Sequence, residues 1–329
     1  QLAPNTPLVQ RFDTAAGWDS ARRAADNIPS LDVPSVPIVA GFLLLYVVIV
    51  GPINLLILAK ADRRMWAWIT VPLLVVLFSC AAYIIGFVSR GQTAVISQIA
   101  FLRARPESGL AAVDTFVGLY SPARRRHTVQ LPGNVLVSEL GRSTYYGGGA
   151  LDEGELIVEQ GPPAYLRGLE VDVGGMRLFE LHGIQPWPGV EARLALLPAG
   201  GGGQYRVQGT ITNRTGENLA DPALLLNAQV AHIDDIPAGQ TQTVDVTFGN
   251  NPLAPYMLVE DVLGQMPSSR EETRRRDTLY SVLQYGSGAA GPDFEGLTLL
   301  GWQETSPTPV DTLAAKSSAY VTTLVIAPL

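Results

Sequence analysis

The residues able to do chemistry are few and scattered. Three histidines, His127, His182 and His232, stand singly, with no second histidine three or four positions away to make a helical ligand pair. Each reads as a structural or surface residue. The one cysteine, Cys80, lies inside an apolar run. One thiol makes neither an internal disulfide nor a multi-cysteine metal site, so it reads as a small residue facing lipid or another helix. Asp234 and Asp235 are a carboxylate pair, but neighbours on a strand point to opposite faces. Asp152, Glu153 and Glu155 could touch a cation, although their spacing is not that of an EF-hand loop. The sequence holds no G-x-S-x-G, no H-E-x-x-H and no P-loop. The glycine runs 147–149 and 200–203 precede no Gly-Lys-Ser/Thr and read as loops. Asn213-Arg214-Thr215 is formally a glycosylation sequon, but it reads as a turn. The expectation is a protein without catalytic residues, cofactor or metal.

The apolar segments are far more definite. The chain has 329 residues, 47% of them hydrophobic, and a net charge of −7 with no basic stripe, which argues against nucleic acid as a partner. Residues 36–59 and 65–89 carry no charge at all. About 20 apolar residues, each rising about 1.5 Å, cross the hydrocarbon layer of a bilayer. Both segments are long enough, so residues 36–89 are expected to form a transmembrane hairpin. The first begins too late and runs too long for a signal peptide. No charge lies within either span, so a proton or ion path has no residue to use. Pro52 and Pro72 should kink the helices. Gly51, Pro52 and Asn54 form the most polar stretch of the first span and are candidates for helix–helix contact, with a partner protein or within the hairpin.

Orientation rests on the connector. Lys60, Arg63 and Arg64 are three positive charges in a short loop, which favours the cytoplasm. Arg22, Arg23, Arg90 and Arg103 flank the opposite ends and oppose this by number, though not by density. Trp66 and Trp68 open the second helix at the depth where indole rings prefer the interface. A bacterial cell-membrane protein crossing twice is expected, with both termini and the downstream domain extracytoplasmic.

Residues 92–329 change pattern to short strands punctuated by turns. Strand-like stretches fall at 93–102, 115–120, 127–131, 154–159, 166–173, 298–302 and 320–327. The clearest unit runs from 205 to 248. Val207, Gly209 and Ile211 alternate with polar residues, as do Val244, Val246 and Phe248, and strands at 223–227 and 229–233 lie between. This spacing predicts an antiparallel sandwich. One short helix is expected over 272–285, with Ser268 and Glu271 as capping box, Leu279, Val282, Leu283 and Tyr280 facing the sandwich, and Arg274, Arg275 and Arg276 largely on the wet side, as a solvated face or a headgroup- or partner-binding patch.

Two stretches carry resemblances. Thr210–Gly216 and Pro237–Thr241 resemble the strand–turn signatures of bacterial immunoglobulin-like modules. Tyr46–Asn54, Asp62–Pro72 and Val117–Arg125, with His127 following, resemble a family of uncharacterised bacterial membrane proteins. That resemblance implies a transmembrane hairpin and an extracytoplasmic β-sandwich, often preceded by a glutamine-amidotransferase-like domain. It implies topology and assigns no activity to any residue. The polar segment 1–35 reads as the tail of such a preceding domain.

The functional expectation is a non-enzymatic, membrane-anchored structural or accessory subunit, with the lipid bilayer and other integral membrane subunits as partners. Two alternatives follow from the same features: an accessory component of an ABC-type transport system, and a fragment whose ligand-binding or catalytic domain lies upstream.

Overall fold

The computed structural model of the chain describes residues 23–25, 36–61, 64–89, 93–105, 108–139, 157–200, 204–249, 251–264, 269–284, 296–313 and 317–329. It divides into two compact units, Pro29–Gln92 and the combination of Gln1–Ile28 with Thr93–Leu329.

The smaller unit is helical. Helix α1 (Val36–Val48) runs into a π-helical turn over Ile49–Ile53 and continues as α2 (Asn54–Lys60). Proline lacks the N–H of a regular turn and its ring crowds the preceding carbonyl, so the widened turn falls at Pro52. A 3₁₀ turn over Arg64–Trp66 leads into α3 (Ala67–Ser89), which runs through Pro72 without a break in helical assignment. Phe78 of α3 meets Phe42 and Tyr46 of α1, with ring centroids 5.6 and 5.3 Å apart. Pro37–Lys60 and Ala67–Gly86 are long and apolar enough to cross a membrane. Most of their large side chains lie exposed, as lipid-facing residues would.

The larger unit is mostly β, and fifteen strands are described: β1 (Ala94–Arg105), β2 (Leu110–Ser121), β3 (Arg125–Leu131), β4 (Val135–Glu139), β5 (Ile157–Glu159), β6 (Ala164–Val171), β7 (Gly175–Pro186), β8 (Val190–Ala199), β9 (Gln204–Asn213), β10 (Ala220–Leu226), β11 (Gln229–His232), β12 (Thr241–Phe248), β13 (Thr298–Gln303), β14 (Asp311–Thr312) and β15 (Ser317–Pro328). They form an eight-stranded sheet in the order β11-β10-β13-β15-β1-β2-β7-β4, a three-stranded sheet β12-β9-β8 and a four-stranded sheet β14-β3-β6-β5. One face of the large sheet packs on the four-stranded sheet through Ile96, Val117, Leu119, Phe179 and Leu181. Farther along, the same face packs on the three-stranded sheet through Leu102, Val113, Leu224, Leu299 and Val325. The opposite face carries Ile99, Phe101, Phe116, Leu300, Trp302 and Leu324 against two helices, α4 (Pro255–Leu263) and α5 (Arg270–Leu279). Ala24 and Ala25 are fully buried in that same layer.

Four expectations need correction. The large sheet is mixed, because β1 pairs in parallel with β15. The chain travels through most of the domain between those strands, which supplies the long crossover that parallel pairing needs. Among the described residues after β12, two short α-helices stand where one was expected. Pro255 occupies the first turn of α4, Leu258, Val259 and Val262 are its buried stripe, and Gly264 caps it in the left-handed conformation at φ 70°. The capping box is Ser269 with Glu272, one residue later than expected. Finally, Arg274 is not on the wet side: it is 1% exposed and inside the layer between α5 and the sheet.

The stretch 205–248 does not close on itself. Its strands β9 and β12 lie in the small sheet, while β10 and β11 belong to the large one. Its turn at Asn213 is built by side-chain bonds. Asn213 Oδ1 accepts from the backbone N–H and hydroxyl of Thr215, and its Nδ2 donates to the carbonyls of Glu217 and Ile236. Gly209 in β9 is required by space, since an added Cβ would lie 2.0 Å from the Arg193 carbonyl oxygen.

Candidate functional site

Pairing register brings together residues that the sequence keeps far apart. On β2 and β7, Asp114 lies opposite His182 and Phe116 opposite Glu180. On β4 and β7, Ser138 lies opposite Glu180. Alternate strand residues share a face, so Arg103, Asp114, Glu180, His182 and Ser138 all project from the helix-covered side, toward the β4 edge of the sheet.

Their contacts form a chain of charges. Arg103 Nη1 donates to Asp114 Oδ2 at 2.7 Å. Asp114 Oδ1 lies 2.8 Å from His182 Nδ1. His182 Nε2 then lies 3.3 Å from both Ser138 Oγ and Glu180 Oε2. The Glu180 contact has ion-pair distance without hydrogen-bond geometry, and both Glu180 carboxylate oxygens lack a hydrogen-bond partner. Glu180 is fully buried, whereas the His182 side chain is 33% exposed and keeps the cluster open to solvent.

Burial pushes the Glu180 carboxyl up, against the pull of His182. The His182 imidazole is pushed up to about 10, first by its hydrogen bond to Asp114 and then by Glu180. Asp114, Glu180 and His182 also form a set able to hold a metal ion, with potential ligand atoms all within 4.8 Å of one another. Each residue looks unremarkable alone. Only the Asp114–His182 register reveals the group, and register depends on pairing between segments 68 positions apart.

A second feature is a cleft of about 770 Å3 between the ends of β10, β11 and β13 and the helices α4 and α5. Asp221, Asp234, Asp235 and Glu272 make its lining acidic, and Arg275 crosses it. Arg275 Nη1 donates to Asp221 Oδ2 at 2.7 Å, and its guanidinium lies 5.3 Å from the centroid of the Trp302 ring. Asp234 and Asp235 both line this cleft. Strand β11 ends at His232, so the opposite-face rule does not govern them. Asp235 Oδ1 accepts from the Asp221 backbone N–H, and His232 Nε2 donates to the Asp261 carbonyl at 2.8 Å.

The other singled-out residues fall as follows. Gly51 and Pro52 lie in the π-helical turn and Asn54 begins α2, where it is 6% exposed with Nδ2 unpartnered. Lys60 ends α2 and Arg64 opens the 3₁₀ turn, while Arg63 lies outside the described residues. Trp66 and Trp68 are both exposed, as is Cys80. His127 is buried against Ser121. Asp152, Glu153 and Glu155 lie outside the described residues.

Residues 203–329 match a family described as a domain of unknown function (DUF8725). The acidic cleft falls wholly within that stretch, and the Arg103–Asp114–His182–Glu180 cluster precedes it. No curated protein matches the chain. Among solved structures, the yeast delta-COP-I mu-homology domain complexed with a Dsl1 WxWxV peptide is similar at 8% identity and a TM-score of 0.36, covering 71% of this chain and 96% of that one. The same yeast domain without peptide gives 9% identity and the same TM-score, covering 71% and 95%. Scores this low establish no shared fold.

Proposed function

We propose that the protein is a non-enzymatic, membrane-anchored structural or accessory subunit of a larger membrane assembly. The hairpin anchors it, and the β-rich unit makes protein contacts outside the cytoplasm. The observation that carries this reading is the division into two units: a helical pair of membrane-spanning length with a bare apolar surface, and a β-rich unit with its own buried cores. Bare apolar helices are stable only in lipid or against other apolar helices. The packing of the three-stranded sheet on the large sheet supports an immunoglobulin-like sandwich at that end. The acidic cleft supplies the concave surface such contacts use.

Purification of the tagged chain from native membranes in mild detergent tests the reading. The expected result is co-purification of other integral membrane proteins in fixed ratio. A lone chain, monomeric by mass, overturns it.

Orientation is part of the same proposal. Lys60, Arg63 and Arg64 support a cytoplasmic connector. In a Cys80→Ser background, a cysteine replacing Thr241 should react with an impermeant thiol reagent in intact cells, and one replacing Ala61 should not. The reverse pattern inverts the topology.

A further inference from the structure

The corner of the large sheet where β7 meets β4 holds a buried carboxylate whose oxygens the neighbouring side chains leave without hydrogen bonds. Arg103 neutralises Asp114 through the 2.7 Å ion pair. Glu180 is a side chain of zero exposure without a hydrogen bond to either oxygen. A buried carboxylate in that condition is costly and calls for a cation. A proton on His182 supplies charge, but the ring's Nε2 already faces Ser138 Oγ and does not meet Glu180 in hydrogen-bond geometry. The polar atoms of Glu180 stay orphaned under that reading.

We propose that Ser138, Glu180 and His182 form a binding site for one divalent transition-metal ion of the zinc type. Three observations carry it. First, His182 Nε2 lies 3.3 Å from Glu180 Oε2 and 3.3 Å from Ser138 Oγ. Two ligands each about 2.0 Å from a tetrahedral ion lie about 3.3 Å apart, so each of these two distances is one that an ion can bridge. Second, Asp114 Oδ1 accepts from His182 Nδ1–H at 2.8 Å, which fixes the tautomer that leaves Nε2 as a ligand. Third, Glu180 is fully buried with both oxygens unpartnered and its Oε2 beside the ring, while one-third of the His182 side chain reaches solvent and gives an entry path. One imidazole and one carboxylate with a hydroxyl and water suit zinc-type ions better than calcium, which takes six or more oxygens. Binding displaces any proton on Nε2 to solvent and leaves the Asp114–Nδ1 bond in place.

The test uses the full chain in detergent micelles, stripped with chelator and titrated with zinc chloride by calorimetry. One equivalent should bind. Glu180→Gln and His182→Asn should each lower the affinity at least tenfold, and Asp114→Asn by about 10- to 100-fold through loss of ring orientation. His232→Asn, in the acidic cleft, should leave binding unchanged. Absence of zinc uptake by the wild-type chain overturns the site, as does uptake unaffected by Glu180→Gln and His182→Asn. X-ray absorption of the wild-type chain at one zinc per chain needs no variant to fold. It should show a nitrogen/oxygen shell with a single imidazole, and a shell with none or with two overturns the proposal.

Discussion

Asp114 and His182 stand 68 residues apart in the chain and face one another as direct cross-strand partners, with Asp114 Oδ1 2.8 Å from His182 Nδ1. The same carboxylate takes Arg103 on its other oxygen. One carboxylate thus joins β1, β2 and β7, and it does so nearly out of water, with side-chain exposures of 6% for Arg103 and 12% for Asp114. Removing one member of such a pair leaves a buried charge behind. Arg103→Met should therefore destabilise the β-rich unit by about 3 kcal/mol. Asp114→Asn together with Arg103→Met should cost less than the sum of the single changes. Urea unfolding of the full chain in detergent, read by tryptophan fluorescence, checks both values, and strict additivity would show that the two residues are not coupled.

Sequence periodicity reveals an element only when local pattern determines it. The strands β9 and β12 are legible because their inward residues, Val207, Ile211, Val244 and Phe248, alternate cleanly on a half-buried sheet. Strand β1 is also legible, as an apolar run, because both of its faces are covered. Strands β7 and β8 are not, since Gly175–Pro186 and Val190–Ala199 mix charged and apolar residues, with two glycines in β7, near sheet edges. Helix α4 is too short for its Leu258–Val259–Val262 stripe to stand out. The Asp114–Glu180–His182 group needs tertiary register, which no single-strand pattern contains.

The three consecutive arginines separate sharply in environment, although their sequence suggests one shared face. Arg274 donates from Nη1 to Ser97 Oγ at 2.9 Å and from Nη2 to the carbonyls of Gln98 and Tyr320, with Nε unpartnered. Burial pushes its guanidinium down to about 10. Arg275 instead pairs with the exposed Asp221 and covers Trp302. Arg274→Ala should cost about 3 kcal/mol, combining a cavity with stranded acceptors. Arg275→Ala should cost only about 1 kcal/mol, because its ion pair is wet on the Asp221 side. Equal losses in thermal or urea denaturation would return Arg274 to the surface.

His127 gives a pH dependence of defined sign. The ring is 4% exposed, and burial first, then the positive charge of Arg125, pull its pKa below the ordinary 6.5. The unfolded chain therefore binds the proton more readily than the folded one. The contribution is fully present above pH 6.5 and is lost as pH falls through the depressed folded value. Melting temperatures followed from about pH 8 to about pH 5 should fall more steeply for the wild type than for His127→Gln, which cannot titrate. Parallel curves would mean that the ring does not change protonation on folding.

The N-terminal segment contributes to the β-rich unit, and that sets how the unit should be isolated. Ser97 Oγ donates to the Ala25 carbonyl at 2.7 Å, and the same hydroxyl accepts from Arg274. Ala24 and Ala25 are both at zero exposure, in the layer that holds Phe101, Phe116 and Leu258. The helical hairpin separates these residues from β1 in the chain, yet they cover the sheet beside Gly118, with the Ala25 carbonyl in ordinary contact distance, 3.6 Å, of where a Cβ would stand. A fragment spanning 93–329 retains every described strand and both α4 and α5, so it should fold cooperatively with a β-type circular dichroism spectrum. It also uncovers the apolar surface beneath Ala24 and Ala25 and strips Ser97 of one partner. Restoring residues 1–28 through a flexible linker in place of the hairpin should raise its stability by about 2 kcal/mol. Ser97→Ala should erase part of that gain in the linked form while changing the 93–329 fragment less. Identical melts for the two forms would show that Ala24 and Ala25 contribute nothing to the unit's stability. A molten 93–329 fragment rescued by the segment would make residues 23–25 part of the folding core itself.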